Sequence, residues 1–281
     1  MSQVDREGLL AQAENAGYDP EFDPSYEKGR DQGVRYRVLG AICSLAVIAY
    51  LHRVGFATAA PELKAYLGLT DRQLSYLMGA FMLSYGVVEI PFGMLSDRFG
   101  VRTLLCMLVL AWSALTAAIA GVLWLPGGAA LALGYLLVLR VLFGVTQGGM
   151  FPSVSRMLAD WMPVDERGLA QGCVWTSSRI GGAIAPLVVV ALFALLGVGI
   201  VSFATMASLG LLWCLLFWPW FRNTPEEMPG VSQAELKRIQ TGRPAVAKGH
   251  GHGHASAALC RTMLTLAERL VPLPHVWARS A

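Results

Sequence analysis

Six stretches of about 20 residues are apolar almost throughout: 38–60, 74–95, 103–125, 131–151, 169–195 and 201–221. A helix of that length covers roughly 30 Å, the thickness of a bilayer's hydrocarbon core. Lipid offers no hydrogen bond to a peptide group, so a spanning segment must satisfy its own backbone. The runs are too long for barrel strands and lack their alternation, which leaves helices. The pattern therefore predicts an all-α membrane protein with six transmembrane helices. No Asp, Glu, Lys or Arg occurs in 103–139 or in 180–221, intervals each long enough for nearly two spans. Pro91, Pro152 and Pro186 read as kinks or helix ends. Gly144, Gly148 and Gly149, and Gly181, Gly182 and Ala185, read as points where helix backbones pack closely.

The polar segments divide the chain into a tail at 1–37, the bundle at 38–221 and a linker and tail at 222–281. The first tail is acid-rich and lacks the basic end and apolar core of a cleaved signal, so the first span is expected to direct insertion itself. Basic residues precede span 1 (Lys28, Arg30, Arg35, Arg37), join spans 2 and 3 (Arg98, Arg102) and 4 and 5 (Arg156, Arg167), and follow span 6 (Arg222, Lys237, Arg238). On the other side only the loop after span 1 is charged in this way, with Lys64 and Arg72. The positive-inside rule then places both termini in the cytoplasm of a multi-pass protein of the inner or plasma membrane.

Composition agrees: 55% of the 281 residues are hydrophobic and 15% charged, outside the soluble range. The net charge of +3 is met by loop arginines rather than a basic stripe interleaved with aromatics, so no nucleic-acid partner is expected. Five scattered cysteines imply neither a disulfide framework nor a zinc cluster. No hydrolase or nucleotide-binding arrangement is visible, and the chain is read as a non-enzyme without a cofactor.

Between spans 2 and 3 stands GMLSDRFGVR, residues 93–102. Gly93 and Gly100 are read as allowing a tight helix reversal, and Asp97 can pair with a cation or a helix N-terminus. The string resembles the loop signature of the major facilitator superfamily at Gly93, Asp97, Arg98, Gly100 and Arg102. A second stretch, RVLFGVTQGGMFPSVSRMLADWMPVDERG at 140–168, is similar to helix 4 and the following loop of its anion:cation symporter branch. A third, FWPWFRNTPEEMPGVSQAELKRI at 217–239, resembles that branch's exit from helix 6. The resemblance covers roughly residues 33–239 and implies one half of a transporter, built as two inverted three-helix repeats, in which six-helix halves rock about a central site. It further implies a small organic anion such as a sugar acid or carboxylate as substrate, with H+ or Na+ as the coupling ion.

The segment AYLHRVGFATAAPEL at 49–63 places His52 and Arg53 inside span 1. A charge at mid-membrane costs at least about 2.5 kcal/mol, so Arg53 needs a partner, water, or a reach to the outer interface by snorkelling. The resemblance makes it the substrate-anion ligand. His52 stands where the branch has Asp; it either carries the coupled proton or is a neutral imidazole bonded between helices. Gln147 replaces the branch's Glu in span 4 and counts among the substrate-binding candidates. Glu89, alone among charges in span 2, serves coupling or gating, or else a structural pair with a cation such as Arg53 or Arg140. Arg140 lies two helical turns before Gln147 on the same face, as a second cavity cation or a structural partner. Tyr85 either hydrogen-bonds substrate or packs between helices. Asp97, Arg98 and Arg102, with Gly93 and Gly100, form the expected gating loop.

From residue 240 the chain departs from the family pattern and reads as a poorly ordered tail. Its His250, His252 and His254 are weak metal candidates against solvated low complexity. Six spans with a histidine-rich segment also describe metal-cation carriers, but span 5 has no Asp, Glu or His and span 2 only Glu89. Twelve spans make a full transporter of this superfamily. The alternative to transport is thus a truncated, non-transporting product or a subunit that needs a second six-helix half.

Overall fold

The computed structural model describes residues 33–126, 128–197 and 200–241. Six helices there are long and apolar enough to cross a membrane. Helix α1 (Val34–Leu67) is followed by α2 (Asp71–Phe99), α3 (Val101–Ile119) with a 3-10 extension Ala120–Trp124, and α4 (Ala129–Gly148), which α5 (Met150–Trp161) continues after a break at Gly149. Then come α6 (Arg167–Leu196), α7 (Ile200–Trp220), the 3-10 turn Pro225–Glu227 and the short α8 (Gln233–Gln240).

The differences from the sequence reading sit at prolines and glycines. Helix α1 runs through Pro61, α2 through Pro91 and α6 through Pro186, so these are interior residues and not helix ends. In a bundle, neighbouring helices and hydroxyls compensate the carbonyl that a proline strands. Pro152 behaves otherwise: it lies in the first turn of α5 just after the break, and the Ser153 hydroxyl donates to the Gly149 carbonyl at 2.7 Å. What reads as a loop after span 4 is thus the amphipathic α5, which buries Phe151, Val154, Met157 and Trp161. Likewise, Gly93 is helical and takes no part in the reversal to α3; Gly100 alone makes that turn, at φ 78°. That dihedral suits glycine, and a Cβ there would lie 2.8 Å from Asn223 Nδ2. At the other end, a Thr70–Gln73 capping box starts α2.

The helices pair α1 with α6, α2 with α4, and α3 with α7. An inverted repeat exchanges the first span with the fourth, the second with the fifth and the third with the sixth. That exchange turns the α1·α6 contact into the α2·α4 contact and maps α3·α7 onto itself, so the observed pairing is the one a 3+3 repeat requires. Glycine closes each crossing. A Cβ on Gly181 would stand 2.8 Å from the Val47 Cα, one on Gly144 2.6 Å from the Phe81 carbonyl, and one on Gly210 3.3 Å from Ser113 Cβ. In lipid, where apolar burial does not drive helices together, such backbone approach supplies the packing energy.

Two apolar clusters fill the bundle. One is centred on Trp112, Trp161 and Phe221, with Trp213, Phe217 and Phe221 stacked in a column; the other gathers Phe56, Leu77, Leu136 and Phe203. A polar layer from α1 and α4 lies between them. The linker that follows α7 carries α8, whose Ile239 and Glu235 are fully buried.

Candidate anion-binding site

Arg53 sits near the midpoint of α1, half-buried, and does not snorkel. Its Nε donates to Gln147 Oε1 at 3.0 Å. The Gln147 amide in turn donates to the Ala49 carbonyl at 2.9 Å, so both ends of that buried side chain are engaged. The guanidinium lies over the rings of Tyr85 at 4.6 Å, Tyr50 at 4.9 Å and Phe81 at 5.4 Å. A side chain 94 residues away in sequence thus fixes the cation, and aromatic faces substitute for part of its lost hydration.

Arg140 approaches from α4 and is 2% exposed. Its guanidinium stands over Phe56 at 4.3 Å, Phe81 at 4.6 Å and Phe143 at 5.4 Å. Phe81 is therefore shared between the two arginines. Among the described residues neither arginine makes an ion pair, and Arg140 Nε has no hydrogen-bond partner. The structural-partner alternative for Arg140 thus finds no carboxylate; what holds it is a cage of three phenylalanines. One buried and one half-buried cation, with no counter-charge among the described residues, form a site of positive potential inside an apolar bundle, chemically suited to an anion.

The other expected residues divide. Tyr85 belongs to the site as one wall of the Arg53 cage. His52, adjacent in sequence, points elsewhere: it is 2% exposed and its Nε2 meets the Met206 carbonyl of α7 at 2.7 Å. A carbonyl only accepts, so Nε2 carries the hydrogen and the neutral tautomer satisfies the contact, while a proton on the buried Nδ1 would have no partner among the described residues. Glu89 is exposed, one turn along α2 from Tyr85, and pairs with neither Arg53 nor Arg140.

Of the gating loop, Gly93 is helical and the side chains of Asp97 and Arg98 lie outside the described residues. Arg102 is tied within its own bundle: Nε donates to the Trp218 carbonyl at 3.0 Å, its backbone N–H to Asn223 Oδ1 at 2.9 Å, and its guanidinium covers the Trp218 ring at 4.4 Å. His250, His252 and His254 also lie outside the described residues.

The sequence reading misses a second charged constellation, at the end of the bundle where α1 begins and α7 ends. Arg35, 3% exposed, bonds Glu166 Oε2 through Nε at 3.1 Å. It also donates its backbone N–H to Glu235 Oε1 at 2.9 Å, and its Nη1 lies 3.8 Å from the same oxygen. Arg238 completes the group with a 2.7 Å contact to Glu166 Oε1. The available signal was the S-x-x-E pattern Ser232–Glu235, a helix start that predicts α8; nothing local announces that its glutamate is buried against α1.

Comparison with known proteins adds three findings. The sequence profile described as Major Facilitator Superfamily matches residues 42–276. A probable sulfoacetate transporter of Cupriavidus necator is 36% identical over 205 residues, which are 73% of this chain and 46% of that protein. A D-galactonate transporter of Escherichia coli is 30% identical over 74% of this chain and 46% of its own length, and a hexuronate transporter of Bacillus subtilis 29% identical over 64% and 41%. The chain thus spans about half the length of the curated relatives it matches. Among solved structures, the inward-facing, unoccupied form of a bacterial homologue of the human lysosomal transporter Spinster superposes with a TM-score of 0.59 at 22% identity, covering 69% of this chain and 44% of the other.

Proposed function

The chain belongs to the major facilitator superfamily as an integral, multi-pass membrane protein, and on that premise we propose that its six helices form one half of a secondary transporter for a small organic anion. The observation that carries this reading is the Arg53 guanidinium, fixed by Gln147 and three aromatic rings and lacking a carboxylate partner among the described residues. Sulfoacetate, D-galactonate and hexuronate, the substrates named for three relatives, are small organic anions that such a group binds through charge-assisted hydrogen bonds.

In this reading Arg53 binds the anion, Tyr85 and Gln147 hold it in place, and Arg140 raises the local potential from behind Phe81. Ion coupling falls to Glu89, a carboxylate one turn along α2 from Tyr85, and His52 acts as a tie between α1 and α7. Both termini face the cytoplasm, as the positive-inside rule requires. A second reading, that the chain works only with another six-helix half, is favoured by its coverage of about half of each relative.

Reconstitution of the chain in liposomes, followed by uptake of labelled D-galactonate or sulfoacetate under an imposed proton gradient, tests both. Uptake that is lost in Arg53→Gln supports the first. Binding without uptake points to the second, and absence of both overturns the anion site.

A further inference from the structure

On the outer face of the bundle, away from Arg53, α3 and α7 do not close completely. Thr103, Cys106, Met107 and Leu110 on α3, with Leu211, Cys214, Leu215, Trp218 and Pro219 on α7, enclose a groove of about 450 Å³. The α3 positions recur at intervals of three and four, as do those of α7, so each helix presents a single stripe over about two turns. Cys106 and Cys214 form a buried floor, while Met107 and Leu215, each more than half exposed, form the rims. A flat lipid-facing helix surface needs no explanation; a concave channel running parallel to two membrane helices has the shape of an extended acyl chain.

The groove is apolar along its walls and basic at one mouth. Arg102 covers the Trp218 ring there and spends Nε and Nη2 on the Trp218 carbonyl. Arg222 spends Nη1 on the carbonyls of Pro219 and Phe221, both at 3.0 Å. Each guanidinium thus has one terminal nitrogen without a hydrogen-bond partner among the described residues, and neither makes an ion pair with a described carboxylate. Trp218, 44% exposed at the same mouth, has the amphipathic character of an interfacial anchor.

We infer that this groove is a binding site for one anionic glycerophospholipid, with an acyl chain lying between α3 and α7 and the phosphate held by Arg102 and Arg222. Charge complementarity selects the head group, because basic pockets between membrane helices hold anionic lipid heads. The apolar walls, about 10 Å long, take the head-group-proximal part of an acyl chain in preference to a soluble ligand. Under the proposed orientation the lipid belongs to the cytoplasmic leaflet, and it would brace α3 against α7 where Gly210 and Ser113 make their close crossing.

Native mass spectrometry of the full chain tests this, using mixed micelles of phosphatidylglycerol and phosphatidylcholine with identical acyl chains. The wild type should retain one phosphatidylglycerol in preference to phosphatidylcholine. Arg102→Gln and Arg222→Gln should each reduce that preference by about fivefold. Leu215→Trp, which fills the groove, should expel both lipids. Should Leu215→Trp lose its helical circular-dichroism spectrum, Met107→Trp fills the same space from the opposite wall. Equal retention of the two lipids by the wild type overturns the inference. So does a lipid adduct unaffected by a folded groove-filling variant, or occupation of this face by a second copy of the chain.

Discussion

Two clusters, each with one buried arginine and a second more accessible one, sit in this bundle, and they are built to opposite rules. At the basic end, Arg35 and Arg238 meet Glu166 and Glu235, two cations against two carboxylates. In the membrane layer, Arg53 and Arg140 share the Phe81 ring, with an amide and aromatic faces in place of counter-ions. A cluster with opposite charges paired within the chain can serve as a clasp among α1, α6 and α8. An unbalanced one, without a carboxylate among the described residues, is under the proposed function completed by an anion that arrives from outside. Under the proposed function the contrast separates a structural charge group from a ligand site, although both are rich in arginine.

The comparison breaks most visibly if the balanced cluster is opened. Glu235→Ala removes a fully buried carboxylate and leaves Arg35 short of a partner, which should cost about 3 to 5 kcal/mol of stability while anion affinity stays within about twofold. Thermal unfolding in detergent, paired with ligand titration, reads both effects; a stable variant with weakened binding would refute the division of roles. In the membrane layer the order reverses. Arg53→Gln should lower anion affinity by roughly 10- to 100-fold, the equivalent of the 1.5–3 kcal/mol of a charged hydrogen bond, with little change in melting temperature.

Gln147→Glu sharpens the contrast by converting the second cluster to the logic of the first. A carboxylate placed 3.0 Å from Arg53 Nε would supply the missing counter-charge, so anion affinity at neutral pH should fall and should return as acidification protonates the introduced group. Isothermal titration across pH distinguishes this from simple misfolding. Gly181→Ala, which forces a Cβ against the Val47 backbone, should destabilise by about 1–3 kcal/mol through the α1·α6 crossing, measurable in the same melts. Smallest of all, Arg238→Gln touches an exposed partner of Glu166 and should shift stability by less than about 1 kcal/mol.

The spans were legible because lipid enforces a single rule on every residue of them: six apolar runs became six membrane helices. Of the two readings open for the prolines, kink or helix end, the structure removes the second for Pro91 and Pro186, which stay within helices that the bilayer and the neighbouring helices hold together. Gly100, not Gly93, makes the turn, since a positive φ cannot be seen in sequence spacing. Arg53 was visible as a charge out of place. Its bond to Gln147 was not, because that contact depends on how α1 and α4 cross. The Arg140 cage draws phenylalanines from three helices, an arrangement no local pattern encodes. His52 shows the converse: adjacency to Arg53 suggested a shared task, but successive residues on a helix point about 100° apart, and it turns to Met206.

The hydrogen bond between Arg53 and Gln147 also bears on discrimination among anions. With Nε committed, the part of Arg53 left for a ligand is its pair of terminal nitrogens, a flat two-pronged fork. A carboxylate or sulfonate offers two oxygens that fit both prongs at once, whereas a halide, being a sphere, satisfies them one at a time. Under the proposed function the amide that anchors the arginine would act as a filter on ligand shape, turning a charge that would attract any anion into one that favours those with paired oxygens over chloride.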